Sequence, residues 1–91
     1  MVDPESPNEL RLGTAPRGFR GVIQALRLES AGLSVPSAEL ERQLVEMGFV
    51  EGATVEILHE GAIKRDPIAI RVNNATIALR RREAMVIVVS P

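Results

Sequence analysis

The chain has 91 residues, of which 45% are hydrophobic and 25% charged, a composition typical of one small globular domain. It contains no cysteine, which excludes disulfide frameworks, thiol nucleophiles and metal sites built on thiolate ligands. The acidic, proline-containing start is not a signal peptide, and no apolar run approaches the roughly 20 residues of a membrane span, so we expect a cytoplasmic protein.

Charge is distributed unevenly along the chain, although the net charge is only −1. Residues 39–60 carry six glutamates against Arg42 alone, and residues 64–83 carry six lysines and arginines against two acids. Two arrangements fit this division: the segments neutralise each other within the fold, or they form a polarised surface that docks a partner. The sequence leaves both open.

The N-terminal third contains one predicted strand between two irregular segments. Residues 1–10 mix prolines and acids without a hydrophobic period, which predicts a flexible leader before a domain over residues 11–91. After turn residues at Pro16 and Gly18, alternation over residues 19–26 predicts the first strand. Turn residues over 29–36 predict a loop.

A helix is predicted to follow that loop. Ser37 can cap its first turn, Leu40, Leu44 and Met47 lie at helical spacing on one face, and Gly48 supplies the left-handed stop. Such a helix has about three turns and is too short to be stable alone. We therefore expect it to cover a sheet.

The chain after residue 52 has the pattern of β-strands. Apolar residues recur at every second position around Ile57, Ile70 and Leu79, and residues 85–89 are continuously apolar, as in a strand covered on both faces. Asn73-Asn74 favours a two-residue hairpin turn, because asparagine tolerates positive φ. The sequence predicts a mainly β fold, a small curved barrel of about five strands with one short amphipathic α-helix. The predicted core contains Phe19, Phe49, Ile57, Ile70, Leu79 and Ile87, besides the helix stripe.

The single histidine offers little basis for a metal site. His59 lies beside Glu60, with Asp66 nearby, but one imidazole and two carboxylates fall short of the usual structural and catalytic ligand sets. These three residues are weak candidates, and a solvated histidine is the alternative. We expect no required cofactor, and weak binding of a divalent metal such as iron or zinc is left open.

No motif for catalysis or nucleotide binding occurs in the sequence. One histidine and one small core provide neither a nucleophile with an oriented base nor a substrate cleft, and the glycines lack phosphate-loop spacing. Arg80-Arg81-Arg82 resembles a basic patch, but small barrels that bind nucleic acid stack bases on aromatic residues, and this chain has only two phenylalanines. The alternative for this run is a strand leading into a solvated turn, with Arg80 and Arg82 on one face.

Four segments in order resemble the FeoA family. They are Leu44-Val45-Glu46-Met47-Gly48-Phe49, Glu51-Gly52-Ala53-Thr54-Val55-Glu56-Ile57, Asp66-Pro67-Ile68-Ala69-Ile70-Arg71-Val72 and Ile77-Ala78-Leu79-Arg80-Arg81-Arg82-Glu83-Ala84. The likeness runs from about Leu12 to Val89. It implies an SH3-like fold and a small cytosolic accessory of bacterial ferrous iron uptake.

The resemblance also implies a partner. It implies a non-enzymatic protein that binds the cytoplasmic GTPase region of the FeoB membrane transporter and modulates its activity, without inserting into the membrane itself. The family is similar to the C-terminal SH3-like domain of iron-dependent repressors, so a metal-responsive regulatory or interaction module is the alternative. A repressor would need a DNA-reading helix, and the one predicted helix is acidic. Weak self-association is left open.

The resemblance and the basic charge together suggest where a partner docks. The predicted partner-binding residues are Ile63, Lys64, Arg65, Arg80 and Arg82, with Ile63 and Val50 as an apolar alternative. The chain departs from the family in this region, since Ala62-Ile63-Lys64-Arg65 stands where the family often has proline, an aromatic or leucine, and glycine. Asn73-Asn74 likewise stands where glycine is usual.

Overall fold

The structure is a computed structural model that describes residues 9–28 and 37–91. Its strands are β1 (Leu10–Arg11), β2 (Arg20–Leu26), β3 (Thr54–Ile63), β4 (Asp66–Val72), β5 (Ala75–Leu79) and β6 (Ile87–Ser90). Its helices are α1 (Ser37–Glu46) and α2 (Arg81–Ala84), and residues 12–14 form a 3₁₀ turn. The loop predicted over residues 29–36 lies outside the described residues.

All strand pairs are antiparallel, and the hydrogen-bonded order is β1-β6-β2-β3-β4-β5. The predicted mainly β fold is confirmed, although the described sheet does not close and is a barrel only loosely. The predicted count of about five strands is one too low, because Leu10 and Arg11 form a short strand against Val89 and Val88. Leu10 therefore belongs to the sheet, whereas residues 1–8 of the predicted leader lie outside the described residues.

The sheet and α1 enclose one hydrophobic core. Five of the six predicted core residues are buried, and Phe19 is half-buried against the core. Burial of this aliphatic set is the main source of stability for a domain of this size. The buried residues around them include Leu12, Ile23, Leu40, Leu44, Val55, Ile68, Val72, Val86 and Val89.

Helix α1 ends as the sequence predicts. Gly48 adopts φ +101°, its amide donates to the Val45 carbonyl at 3.0 Å, and the Phe49 amide donates to the Leu44 carbonyl at 2.9 Å. This pair of bonds is a Schellman motif, which satisfies carbonyls that the helix leaves free and turns Phe49 into the core. The capping role predicted for the Ser37 side chain lies outside the described side chains. No helix in the described residues is long and apolar enough to cross a membrane.

Candidate functional site: an exposed hairpin tip

The connection between β3 and β4 is a two-residue turn made by Lys64 and Arg65. Their φ angles are +56° and +58°, a left-handed conformation that costs a non-glycine residue roughly 1–2 kcal/mol. Ile63, which pairs with Asp66 across the turn, is 78% exposed, the highest value among the large hydrophobic residues that the structure describes as exposed. We call Ile63, Lys64 and Arg65 the hairpin tip.

Arg81 holds the base of the hairpin tip. Its Nε donates to the Arg65 carbonyl at 2.8 Å, and its backbone amide donates to Asp66 Oδ1 at 2.8 Å. The other end of the guanidinium donates to the Ala15 carbonyl at 2.8 Å and forms an ion pair with Glu60 at 2.9 Å. Charge-assisted bonds of this kind are the strong ones, so Arg81 fixes the tip to the 3₁₀ region and to β3.

Sequence reasoning missed the role of Arg81. The alternative for residues 80–82 is a strand leading into a solvated turn. The strand β5 does end at Leu79, but Arg81 begins α2 and its side chain is only 18% exposed, so the segment is not a solvated turn. The available signal was Glu83, whose carboxylate accepts a hydrogen bond from the Arg80 amide at 2.9 Å. An acidic residue three positions after the N-cap residue, here Arg80, is one half of a capping box.

The backbones of β3 and β4 approach each other closely just before the hairpin tip. The register between β3 and β4 shifts between Glu60 and Ile63, and a Cβ added to Gly61 would collide with the backbone carbonyl of Asp66. Glycine is therefore required at residue 61 because the strands approach too closely for a side chain. The same segment carries the Arg65 carbonyl and the Asp66 carboxylate that bond to Arg81.

The four predicted cationic docking residues are exposed. Lys64 and Arg65 lie on the hairpin tip, Arg80 precedes α2 and Arg82 lies within it. Residues 9–28 and 37–91 contain four ion pairs, and none of them involves these four cations. Of the two arrangements left open by the charge pattern, the described geometry favours a polarised surface, because the basic residues are not neutralised by the acids of α1.

The weak metal candidates do not form a metal site. His59 is exposed, while Glu60 already pairs with Arg81 and accepts the Arg17 amide at 3.2 Å. Asp66 accepts the Arg81 amide. Within the described residues, no three His, Cys, Asp or Glu side chains are placed to hold a metal ion. The donor set therefore does not fit a resident metal.

Comparison with known proteins agrees with the fold and the motifs. The FeoA domain family matches residues 10–91, which is most of the chain. The chain belongs to the FeoA family. Its fold is mainly β and SH3-like, as the sequence predicted. No curated protein matches it significantly.

Several solved structures are similar to this FeoA-family chain. FeoA of Stenotrophomonas maltophilia in complex with zinc, described as a prokaryotic SH3-domain protein, is 28% identical with a TM-score of 0.71, and the match covers 89% of each chain. Iron(II) transport protein A of Clostridium thermocellum is 35% identical with a TM-score of 0.71, over 88% of this chain and 44% of that one. The T. acidophilum IdeR is 17% identical with a TM-score of 0.68, over 97% and 36%, and this likeness shows the fold alone.

Proposed function

We propose that this protein is a non-enzymatic, cytoplasmic accessory of ferrous iron uptake that binds the cytoplasmic GTPase region of a FeoB transporter and modulates its activity. Family membership over residues 10–91 supports the iron-transport role. The related Stenotrophomonas maltophilia protein is described as possibly acting as a ferrous iron transport activating factor. An accessory factor of this size acts through its surface, since its single core leaves little room for a substrate cleft.

The observation that carries the docking proposal is the hairpin tip. A large aliphatic side chain that is 78% exposed lies beside two exposed cations on a strained turn. Strained backbone persists where surrounding contacts impose it, and it is frequent at binding sites. The complementary partner surface is an apolar pocket bordered by carboxylates.

Arg80 and Arg82 extend the docking surface away from the hairpin tip. Both are exposed and flank Arg81, which is tied to the Arg65 carbonyl. Four exposed cations raise the rate of encounter with an acidic surface, and this steering weakens as salt screens it. We therefore place these residues at the rim of the docking surface and Ile63 at its centre.

Metal binding is weak and dispensable for folding in this proposal. The Stenotrophomonas maltophilia relative was solved with zinc, whereas here Glu60 and Asp66 already bond to Arg81. Divalent iron or zinc would bind at best through exposed His59, so thermal melting with a chelator and with added zinc should nearly coincide. A large zinc-dependent rise in melting temperature that His59→Ala abolishes would contradict this.

The second candidate is a metal-responsive regulatory module like the repressor domains. Its support is the fold likeness to manganese-dependent transcriptional repressors and to the T. acidophilum IdeR at 16–17% identity, which carries no functional residue. The two candidates differ in what they require. A regulatory module of that type responds to metal, whereas the proposed accessory binds its transporter without one.

Binding to the purified cytoplasmic region of FeoB, measured by surface plasmon resonance with and without chelator, tests the proposal. Lys64→Gln with Arg65→Gln should weaken binding about tenfold, mainly through slower association, and leave thermal melting unchanged. Ile63→Ser should weaken it mainly through faster dissociation. The matched control, Arg20→Gln with Arg71→Gln, removes two exposed cations elsewhere on the sheet and should bind like the wild type.

Two results would overturn the proposal. Absence of binding to the transporter region by a folded wild-type protein would reject the function itself. Binding that is insensitive to salt, to Ile63→Ser and to the tip charges would reject the hairpin tip as the docking surface. Arg80→Gln with Arg82→Gln provides a second pair, for which we expect a smaller loss because both residues lie farther from Ile63.

A further inference from the structure

A shallow groove lies near the start of β3, at the other end of this strand from the hairpin tip. It has a volume of about 310 Å³ and lies between α1, the end of β2 and the segment before β3. Its floor is apolar, with Leu26, Phe49 and the exposed residues Val45 and Val50, while Glu41 and Glu51 form its rim. We call this the acid-rimmed groove.

The acid-rimmed groove and the hairpin tip both expose apolar residues, but the charges beside these residues have opposite signs. The structure describes four large hydrophobic residues as exposed, and three of them belong to these two surfaces: Val45 (45%), Val50 (39%) and Ile63 (78%). In the groove the apolar residues are bordered by glutamates, and on the tip the apolar residue precedes two cations. An aliphatic side chain flanked by cations is the ligand that an apolar floor with a carboxylate rim would bind.

A single molecule cannot join its own tip to its own groove. Val50 and Glu51 precede β3 and the hairpin tip ends it, so the ten residues of β3 separate the two surfaces by up to about 30 Å at 3.3 Å per residue. The two surfaces therefore lie at opposite ends of β3.

We infer that the acid-rimmed groove binds the hairpin tip of a second copy of this chain. Ile63 of one copy packs against Val45 and Val50 of the next, while Lys64 and Arg65 meet Glu41 and Glu51. Such a contact joins two different surfaces, so it is heterologous and leaves a free tip at one end and a free groove at the other. Association is therefore head-to-tail, weak and dependent on concentration and salt.

This inference does not depend on the proposed function, but it has a consequence for it. The tip that would dock the transporter is the same one that enters the neighbouring groove. Self-association and transporter binding therefore compete for Ile63, Lys64 and Arg65, and the monomer is the form that is free to dock.

Charge-reversal variants of the hairpin tip and of the acid-rimmed groove test the inference. The probe is sedimentation velocity of the full chain over a dilution series at low and high salt. The wild type should associate at high concentration and low salt. Lys64→Glu with Arg65→Glu, and separately Glu41→Lys with Glu51→Lys, should each weaken association at least about tenfold without lowering the melting temperature.

Mixing the two variants provides the decisive control. The tip variant retains an intact groove and the groove variant retains an intact tip, so the mixture should associate although neither component does alone. Three results would overturn the inference: a wild type that stays monomeric at the highest concentration, association that persists in both variants, and association that is not restored on mixing. Transporter binding is not measured here, so each failure is distinct from failure of the proposed function.

Discussion

Two hairpin turns of the same sheet share one backbone conformation and differ in their side chains. Asn73-Asn74 joins β4 to β5 with φ angles of +49° and +67°, and Lys64-Arg65 joins β3 to β4 with φ angles of +56° and +58°. Asparagine tolerates this conformation, whereas lysine and arginine have no local means to relieve it. The Asn73-Asn74 turn has residues that favour positive φ, whereas the Lys64-Arg65 turn adopts positive φ although its residues do not favour it.

The contacts around the second turn explain how it is maintained. Arg81 bonds to the Arg65 carbonyl and to Asp66 through its backbone amide, and Gly61 lets β3 approach β4 just before the turn. These contacts offset a strain of about 1–2 kcal/mol at each of the two residues. Asparagine and glycine would form the same turn with less backbone strain than Lys64 and Arg65.

The largest expected effect comes from the core that both hairpins share. Leu44→Ala removes a fully buried side chain beneath the sheet and should lower the free energy of unfolding by about 2–5 kcal/mol, through lost burial and a residual cavity. Denaturant unfolding followed by circular dichroism measures it. The neighbouring Val45→Ala, at an exposed position, should stay within about 0.5 kcal/mol of the wild type. Equal losses for both variants would contradict the described packing.

A change at Arg81 should affect the strained turn and the 3₁₀ region that Arg81 joins to it, and leave the Asn73-Asn74 turn unchanged. Arg81→Met leaves the Arg65 carbonyl without its side-chain donor and the Glu60 carboxylate with only the Arg17 amide, and it should lower the free energy of unfolding by about 1.5–3 kcal/mol. Amide exchange should quicken at Lys64 and Arg65 but not at Asn73 and Asn74.

The adjacent exposed arginine is the matched control for this change. Arg82→Met removes the same charge from a residue outside the contacts of Arg81, and it should change unfolding by less than about 0.5 kcal/mol. If Arg82→Met destabilised the protein as much as Arg81→Met does, the contacts of Arg81 would not be what holds the tip.

Relieving the strain should separate stability from docking. Lys64→Asn with Arg65→Gly supplies the residues that this turn prefers and should raise the free energy of unfolding by about 1 kcal/mol. The same variant lacks both tip cations, so its binding to the transporter region should weaken, as is common when a functional site is stabilised. Asn74→Gly in the other hairpin should gain only a few tenths of a kcal/mol. A variant that loses stability would show that the turn is not strained.

The smallest expected effect concerns the ion pairs that secure β1. The hydrogen bond from Arg27 to Glu9, aided by the charges of Arg27 and Arg11, holds the pKa of Glu9 below its ordinary value, although burial opposes the shift. A lowered folded-state pKa stabilises the protein above the ordinary pKa of glutamate, and this contribution is lost as pH falls through the folded-state value. Glu9→Gln should therefore lower the melting temperature at neutral pH and approach the wild type in acid. A difference that grows towards acid would contradict this.

The comparison of hairpins also shows what the sequence could predict. The alternation of apolar residues predicts most of the strands, the spacing of Leu40 and Leu44 predicts α1, and Asn73-Asn74 predicts one turn. Each of these signals is local in the sequence. The Lys64-Arg65 turn, the short strand β1 and the role of Arg81 depend on contacts between distant segments. Arg81 bonds to Ala15, 66 residues away, and no local pattern encodes that partner.

The central claim is that the strained hairpin docks a partner while the relaxed one does not. Titration of ¹⁵N-labelled protein with the unlabelled cytoplasmic region of FeoB, followed by amide spectra, tests it directly. The account predicts that signals of Ile63, Lys64 and Arg65 broaden or shift first, followed by Arg80 and Arg82, while Asn73 and Asn74 stay unchanged. Changes centred on Asn73 and Asn74, with the hairpin tip unaffected, would contradict it.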